Sequence, residues 1–186
     1  MKIRTFIALD IPDFVKEKIF NLIYNYSEAK LFRWEPKEKI HLTLKFIGDI
    51  ESDIVPEILK SLNFLNEINS QMLILKNFGM FYHKNEPKIF WAGLNVSDEL
   101  IEIVKKIEDV LFDFGIEKEK RSFKPHLTLL RVKNKRNTDF LEKLKELNFE
   151  SIDFESDKII FYQSELLPAG SVYKKIHKFQ LKKRSK

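Results

Sequence analysis

Apolar and polar residues alternate from Lys2 to Leu9 in a stretch rich in Ile, Thr and Phe, and that period of two predicts a first strand. Pro12 then stands where a first helical turn tolerates it, and Val15, Ile19, Leu22, Ile23 and Tyr26 recur at helical spacing. Lys39 to Ile47 alternates again and ends at Gly48-Asp49, and Ile54 to Leu65 offers a second helix with Pro56 in its first turn. Met72 to Phe81 and Lys88 to Val96 read as two strands joined by a long loop over His83 to Pro87. Leu100 to Phe114 repeats apolar residues every three or four positions and stops at Gly115, as a helix with a glycine terminator does. The rest reads as a short strand over His126 to Val132, a helix over Asp139 to Leu147, one strand over Ile152 to Gln163, a turn at Pro168-Ala169-Gly170 and a last strand over Val172 to Leu181. Strands and helices mingle without a βαβ rhythm and without a glycine-rich phosphate loop, which predicts an α+β fold with mainly antiparallel sheets.

One local pattern occurs twice. FRWEPKEKIHLTLKF, from Phe32 to Phe46, is answered by RSFKPHLTLLR, from Arg121 to Arg131. Each copy has an aromatic residue, a Lys and Pro pair, and then His-Leu-Thr-Leu opening a strand. His41 and His126 stand 85 positions apart, close to half of the 186 residues, a spacing that fits a duplicated half-domain and not a solenoid. With four His and four Thr in the chain, chance predicts about 0.09 occurrences of His-x-Thr, and two by chance in roughly 0.4% of such compositions. Strand parity puts His41 and Thr43 on one face and Leu42, Leu44 and Phe46 on the other; His126 and Thr128 stand in the same way against Leu127 and Leu129. Each copy thus has an apolar side for a core and a His/Thr side that wants a polar partner, and a pseudo-twofold duplication can turn both polar sides into one cleft.

Composition narrows the chemistry. The length predicts one domain, or two small lobes sharing a core, and 44% hydrophobic against 33% charged residues argues against disorder. The absence of cysteine removes a disulfide framework, a zinc ribbon and a thiol nucleophile together. MKIRTFIALD reaches Asp10 before a signal-peptide core can form and no later run is long enough for a membrane span, so a cytoplasmic protein is expected. The net charge of +5 gathers in two places: eight Lys or Arg between Lys118 and Arg136, and seven of thirteen residues from Lys174 to Lys186. These read either as solvated faces with a frayed tail or as a polyanion-binding surface.

Two imidazoles with ordinary pKa near 6.5 can hold opposite protonation states around neutral pH. Placed on either side of a phosphodiester, one activates a nucleophile and the other protonates the leaving oxygen, while the Thr43 and Thr128 hydroxyls donate hydrogen bonds to the non-bridging oxygens. No metal or other cofactor is expected: there is no His-x-x-x-His pair, and Thr at the repeated position is a poor ligand. His83, in the loop, and His177, in the lysine-rich last strand, have no partner motif and read as incidental. Trp34, Phe81 and Trp91 read as core in preference to base-stacking platforms.

HLTLKFIGD and PHLTLLR resemble the paired His-x-Thr signatures of the two-histidine (2H) phosphoesterases, in particular the RNA 2′,3′-cyclic phosphodiesterase branch once described as 2′-5′ RNA ligase. The likeness runs nearly end to end, through RTFIALDIP, Phe78-Gly-Met-Phe81, IFWAGL from Ile89, and FYQSELLPAGSVY from Phe161 to Tyr173. The resemblance implies a bilobal, pseudo-twofold fold of duplicated antiparallel sheets with helices on the outer faces. Residues 1–186 would then form a single domain of two lobes around a central cleft. It implies His41 as proton donor to the leaving O3′ and His126 as proton acceptor from water, so that RNA with 2′,3′-cyclic phosphate termini is opened to a 2′-phosphomonoester, with reversible 2′-5′ ligation as a secondary activity. tRNA-derived ends are one candidate source of such RNA, and a monomer with no membrane partner is expected.

The family pattern also has an arginine five residues after the second His. Arg131 matches it and would clamp phosphate, although strict parity puts Arg131 on the far face unless the strand bends or bulges. Its counterpart in the first copy is Phe46, and Lys45, on the His41 face by parity, is expected to compensate as a second substrate-binding residue. Two other readings compete: a non-catalytic RNA-end-binding protein, and a 2H enzyme acting on another cyclic phosphate or a 2′-5′ linked substrate. Turnover separates the first of these from an enzyme.

Overall fold

The computed structural model describes residues 1–133, 138–168 and 170–184. Strand β1 (Lys2–Asp10) turns Ile3, Ile7 and Leu9 into the main core, while Arg4, Phe6 and Ala8 point to the opposite face. Helix α1 (Asp13–Tyr24) buries Val15, Ile19, Phe20 and Ile23. Strand β2 (His41–Glu51) follows, then α2 (Val55–Ser61), with 3₁₀ turns at Ser52–Ile54 and Leu62–Asn66 completing the apolar run that reads as one longer helix. After β3 (Gln71–His83) and β4 (Glu86–Val96), helix α3 (Asp98–Phe112) starts on Ser97, whose hydroxyl accepts the Leu100 N–H, and buries Leu100, Ile103, Val104, Ile107 and Leu111. The chain closes with β5 (His126–Arg131), α4 (Thr138–Lys145), β6 (Ile152–Ser156), β7 (Lys158–Leu167) and β8 (Gly170–Gln180). Among the described residues no helix is long and apolar enough to cross a membrane.

The strands form one antiparallel sheet in the order β6-β3-β4-β5-β2-β1-β7-β8. Read outward from the β5–β2 seam, each half presents a His-x-Thr strand, then β1 or β4, then β7 or β3, then an edge strand. The unit β1–α1–β2–α2 recurs as β4–α3–β5–α4, so the fold is α+β with a pseudo-twofold relation between two half-sheets. One apolar layer lies between sheet and helices and runs through both halves, joining Ile7, Leu42, Leu44, Phe90, Leu127 and Leu129 to the buried faces of α1 and α3.

Two elements differ from the periodicity. Lys84 and Asn85 have φ of 50° and 62°, so the β3–β4 hairpin closes in two residues in place of a five-residue loop. The segment Ile152 to Gln163 is two strands broken at Asp157: β6 pairs with β3 in one half, whereas β7 pairs with β1 in the other. The sheet curls so far that Asp157 alone bridges its two halves here, and the Ser156 hydroxyl donates to the Asp10 carbonyl at 2.6 Å. An uninterrupted apolar pattern carries no record of a change of partner strand.

Candidate active site

Strands β2 and β5 pair through Leu42 and Leu127. Extending that antiparallel register by one residue puts His41 opposite Thr128 and Thr43 opposite His126, all four on the face away from the helices. The two histidines are then diagonal neighbours, with backbones roughly 7–8 Å apart, and a local pseudo-twofold axis passes between the leucines. All four side chains line one cleft of about 400 Å³. Neither threonine hydroxyl has a hydrogen-bond partner among the described residues, which leaves both free to donate into the cleft.

Each imidazole rests on an aromatic pair contributed by the next two strands. Phe6 stacks on His41 at 5.0 Å with Tyr162 behind it at 5.9 Å, and in the other half Phe81 meets His126 edge-on at 4.9 Å with Trp91 at 6.4 Å. Tyr173 adds a third ring beside His41 at 5.5 Å. Both rings are also hydrogen-bonded to the carbonyl two residues earlier: His41 to Lys39, and His126 Nδ1 to the Lys124 oxygen at 2.7 Å. With Nδ1–H donating there, Nε2 of neutral His126 carries the free lone pair.

Burial among these rings pushes both imidazoles down from 6.5, His41 to about 4. The charges around the two rings differ. Asp10, opposite His41 in the β1–β2 ladder, favours imidazolium, against weaker opposition from Lys16 and Arg131; His126 feels only the Arg131 cation, which favours the neutral ring.

A β-bulge follows each motif and decides what comes after it. In β2 the β1 partner steps from Thr43 to Lys45 across one pair, leaving Leu44 as the extra residue; in β5 the β4 partner steps from Thr128 to Leu130, leaving Leu129. One extra residue reverses the parity. Arg131 therefore faces the cleft, where its Nε lies 3.5 Å from Glu35 and its side chain is hydrogen-bonded to Tyr173.

The same bulge corrects the expectation for Lys45. It is turned to the helix side and is 5% exposed, its Nζ held 3.0 Å from Glu108 Oε1 and 2.7 Å from the Glu117 carbonyl. Phe46 occupies the cleft wall in its place.

Other cleft residues carry no repeated motif. Glu35 is placed by its N–H, which donates to the Leu129 carbonyl at the β5 bulge (2.8 Å), and its carboxylate aims Arg131. Lys39 lies 5.9 Å over Tyr173, and Arg4 lies 5.0 Å over Phe46. The first half of the echo holds Glu35 without an equivalent in the second, and of the matched pair Lys39 and Lys124 only Lys39 lines the cleft, so the duplication is silent about both as cleft residues. Trp34 is core, its indole N–H donating to Ala29 at 2.8 Å, whereas Phe81 and Trp91 back His126. His83 and His177 are exposed and line no part of the cleft.

The two basic segments are partly committed elsewhere. Lys118 pairs with Asp109, Lys182 with Glu67, and Arg184 with Glu99 at 2.6 Å. Lys174, Lys175 and Lys178 lie along edge strand β8, where charge protects an open edge. Lys135, Arg136 and Lys186, with Ala169 of the expected turn, lie outside the described residues. Among the described residues no group of three or more His, Asp or Glu is arranged to hold a metal ion.

A duplicated antiparallel sheet that presents two His-x-Thr faces to one cleft is the arrangement that the resemblance to phosphoesterases implies. Residues 9–91 and 94–173, each stretch holding one motif, match the family model described as LigT-like phosphoesterase, and the chain belongs to that family. It is 35% identical over 177 residues to a protein of Methanocaldococcus jannaschii named RNA 2′,3′-cyclic phosphodiesterase, spanning 93% of this chain and 98% of that one. A protein of the same name from Thermotoga maritima is 32% identical, over 95% of both chains. Among solved structures, TT0787 of Thermus thermophilus superposes with a TM-score of 0.78 at 20% identity, covering 98% of this chain and 100% of that one. E. coli LigT complexed with 3′-AMP superposes with a TM-score of 0.73 at 20% identity, over 97% and 99% of the two chains.

Proposed function

We propose that the protein opens 2′,3′-cyclic phosphate ends of RNA to 2′-phosphomonoesters, with the two half-sheets acting as lobes of a single catalytic unit. The observation that carries the reading is the convergence of His41 and His126 on one cleft across the Leu42–Leu127 seam. The substrate class comes from the names of relatives similar over nearly the whole chain.

His126 is the base: its Nδ1–H is tied to Lys124, and Nε2 takes a proton from the attacking water as that oxygen bonds to phosphorus. His41 is the acid and delivers its proton to the departing O3′, and Asp10 is the neighbour whose charge favours the proton it must carry. Thr43 and Thr128 donate to the non-bridging oxygens, and Arg131, held by Glu35, binds the same phosphate. No step is assigned to a metal or cofactor. The same ring opening, with the 5′-hydroxyl of a second RNA in place of water, forms the P–O5′ bond as P–O3′ breaks and O3′ takes the proton, and so accounts for 2′-5′ ligation.

The test is product analysis on 2′,3′-cyclic mononucleotides in the presence of a chelator. Retention of phosphate on O2′ is expected; a 3′-phosphate product, or loss of turnover on chelation, counts against the mechanism. The pH dependence is a second check. kcat/KM reports the free enzyme, so with His41 depressed to about 4 and His126 also below 6.5 its bell is expected to peak on the acid side of neutrality. It falls at higher pH as His41 loses its proton and at lower pH as His126 gains one. A bound phosphate anion favours the His41 imidazolium, so the kcat profile is displaced to higher pH. A kcat/KM maximum well above neutrality would contradict the burial of the two rings.

A further inference from the structure

The pseudo-twofold relation that matches His41 to His126 also matches Phe46 to Arg131, and so leaves the far end of the cleft without the arginine its symmetry partner has. A guanidinium is supplied there by the neighbouring strand. Arg4 of β1 lines the same cleft as the histidines, with its Cζ 5.0 Å above the Phe46 ring, so a cation–π contact holds the side chain. It is half-buried and has no ion pair among the described residues; Asp49, its neighbour across the β1–β2 ladder, is exposed and makes none with it. Extending the Thr5–Gln163 register by one residue sets Arg4 beside Ser164, which also lines the cleft and whose hydroxyl has no partner among the described residues. Arg131, by contrast, is engaged by Glu35 and Tyr173.

An uncommitted, part-desolvated guanidinium beside a free hydroxyl is built to bind an anion in a fork geometry. Its place relative to the histidines says which anion. Arg4 lies two residues along β1 from Phe6, the ring stacked on His41, a step of about 7 Å on the sheet face. That backbone step is of the order of one nucleotide's length.

We infer that Arg4 and Ser164 form a second anion subsite, which takes the phosphate on the 5′ side of the terminal nucleotide and makes the cleft favour RNA ends of two or more nucleotides over a lone cyclic nucleotide. The inference rests on the proposed substrate class, but binding tests it without turnover.

Calorimetric affinities of a nucleoside 2′-phosphate and the corresponding 2′,5′-bisphosphate are compared on the wild type and on Arg4→Gln, Arg4→Lys and Ser164→Ala. The 5′-phosphate is expected to tighten binding to the wild type about tenfold, the scale of one charge-assisted hydrogen-bonded contact. Arg4→Gln brings that ratio to about one, Ser164→Ala lowers it, and Arg4→Lys keeps part of it. The ratio is internal to each variant, so a general loss of affinity or fold does not imitate the result. A wild-type ratio near one overturns the subsite, as does a ratio that Arg4→Gln leaves unchanged. Should the wild type bind both ligands with the expected ratio yet hydrolyse no cyclic phosphate, the proposed activity fails and the subsite stands.

Discussion

His126→Ala is expected to slow turnover of a 2′,3′-cyclic nucleotide by about 10²–10⁴-fold, and His41→Ala by a similar factor, the range of a single positioned acid or base. The two losses should not multiply in the double variant, because attack and departure at phosphorus are one concerted event and removal of either partner already disables it. Each ring rests on an aromatic pair and one carbonyl, so each can be removed without breaking a ladder hydrogen bond or an ion pair. Thermal unfolding of the variants therefore separates a lost catalyst from a lost fold. Steady-state rates near those of the wild type in either variant would remove that histidine from the mechanism. Asn is a useful second replacement at His126, since its amide can keep a hydrogen bond to Lys124 while offering no titrating nitrogen.

The second large effect falls on stability. Lys45→Met is expected to cost about 3–5 kcal/mol, because it removes one partner of a buried pair and leaves the Glu108 carboxylate, itself 15% exposed, without its cation. The methionine fills the volume of the lysine stem, so the loss measures the charge and the hydrogen bonds to Glu108 and Glu117, not a cavity. Denaturant unfolding gives the magnitude. The KM of the folded variant for a cyclic nucleotide should change by no more than a few-fold. A tenfold rise in KM with unchanged stability would instead restore Lys45 to the substrate.

Lys45 and Arg131 show what kind of information local sequence carries. Both follow a His-x-Thr, and the alternation that orients His41, Thr43, His126 and Thr128 fails for both at the same point. The cause is the extra residue, Leu44 in β2 and Leu129 in β5. A bulge is a relation between a strand and its partner; four apolar or polar letters in a row look the same with or without it. The break at Asp157 has the same origin, since the choice between β3 and β1 as partner is made by the curl of the whole sheet. The β3–β4 turn differs: Lys84 and Asn85 lack the glycine that usually marks two successive positive φ values, so local chemistry understated how tight it is.

By itself the sequence determined most of the elements, their α+β mixture, the duplication, and the facing of the two histidines and two threonines, because each of these is written in spacings of two to four residues or in a repeated word. Only the tertiary structure decided that Leu42 meets Leu127, that Phe6 and Tyr162 enclose one imidazole while Phe81 and Trp91 enclose the other, that Glu35 aims Arg131, and that Lys45 serves the core. Those contacts join residues tens of positions apart. Their geometry depends on register, bulges and curl, which are properties of paired strands and are absent from any one of them.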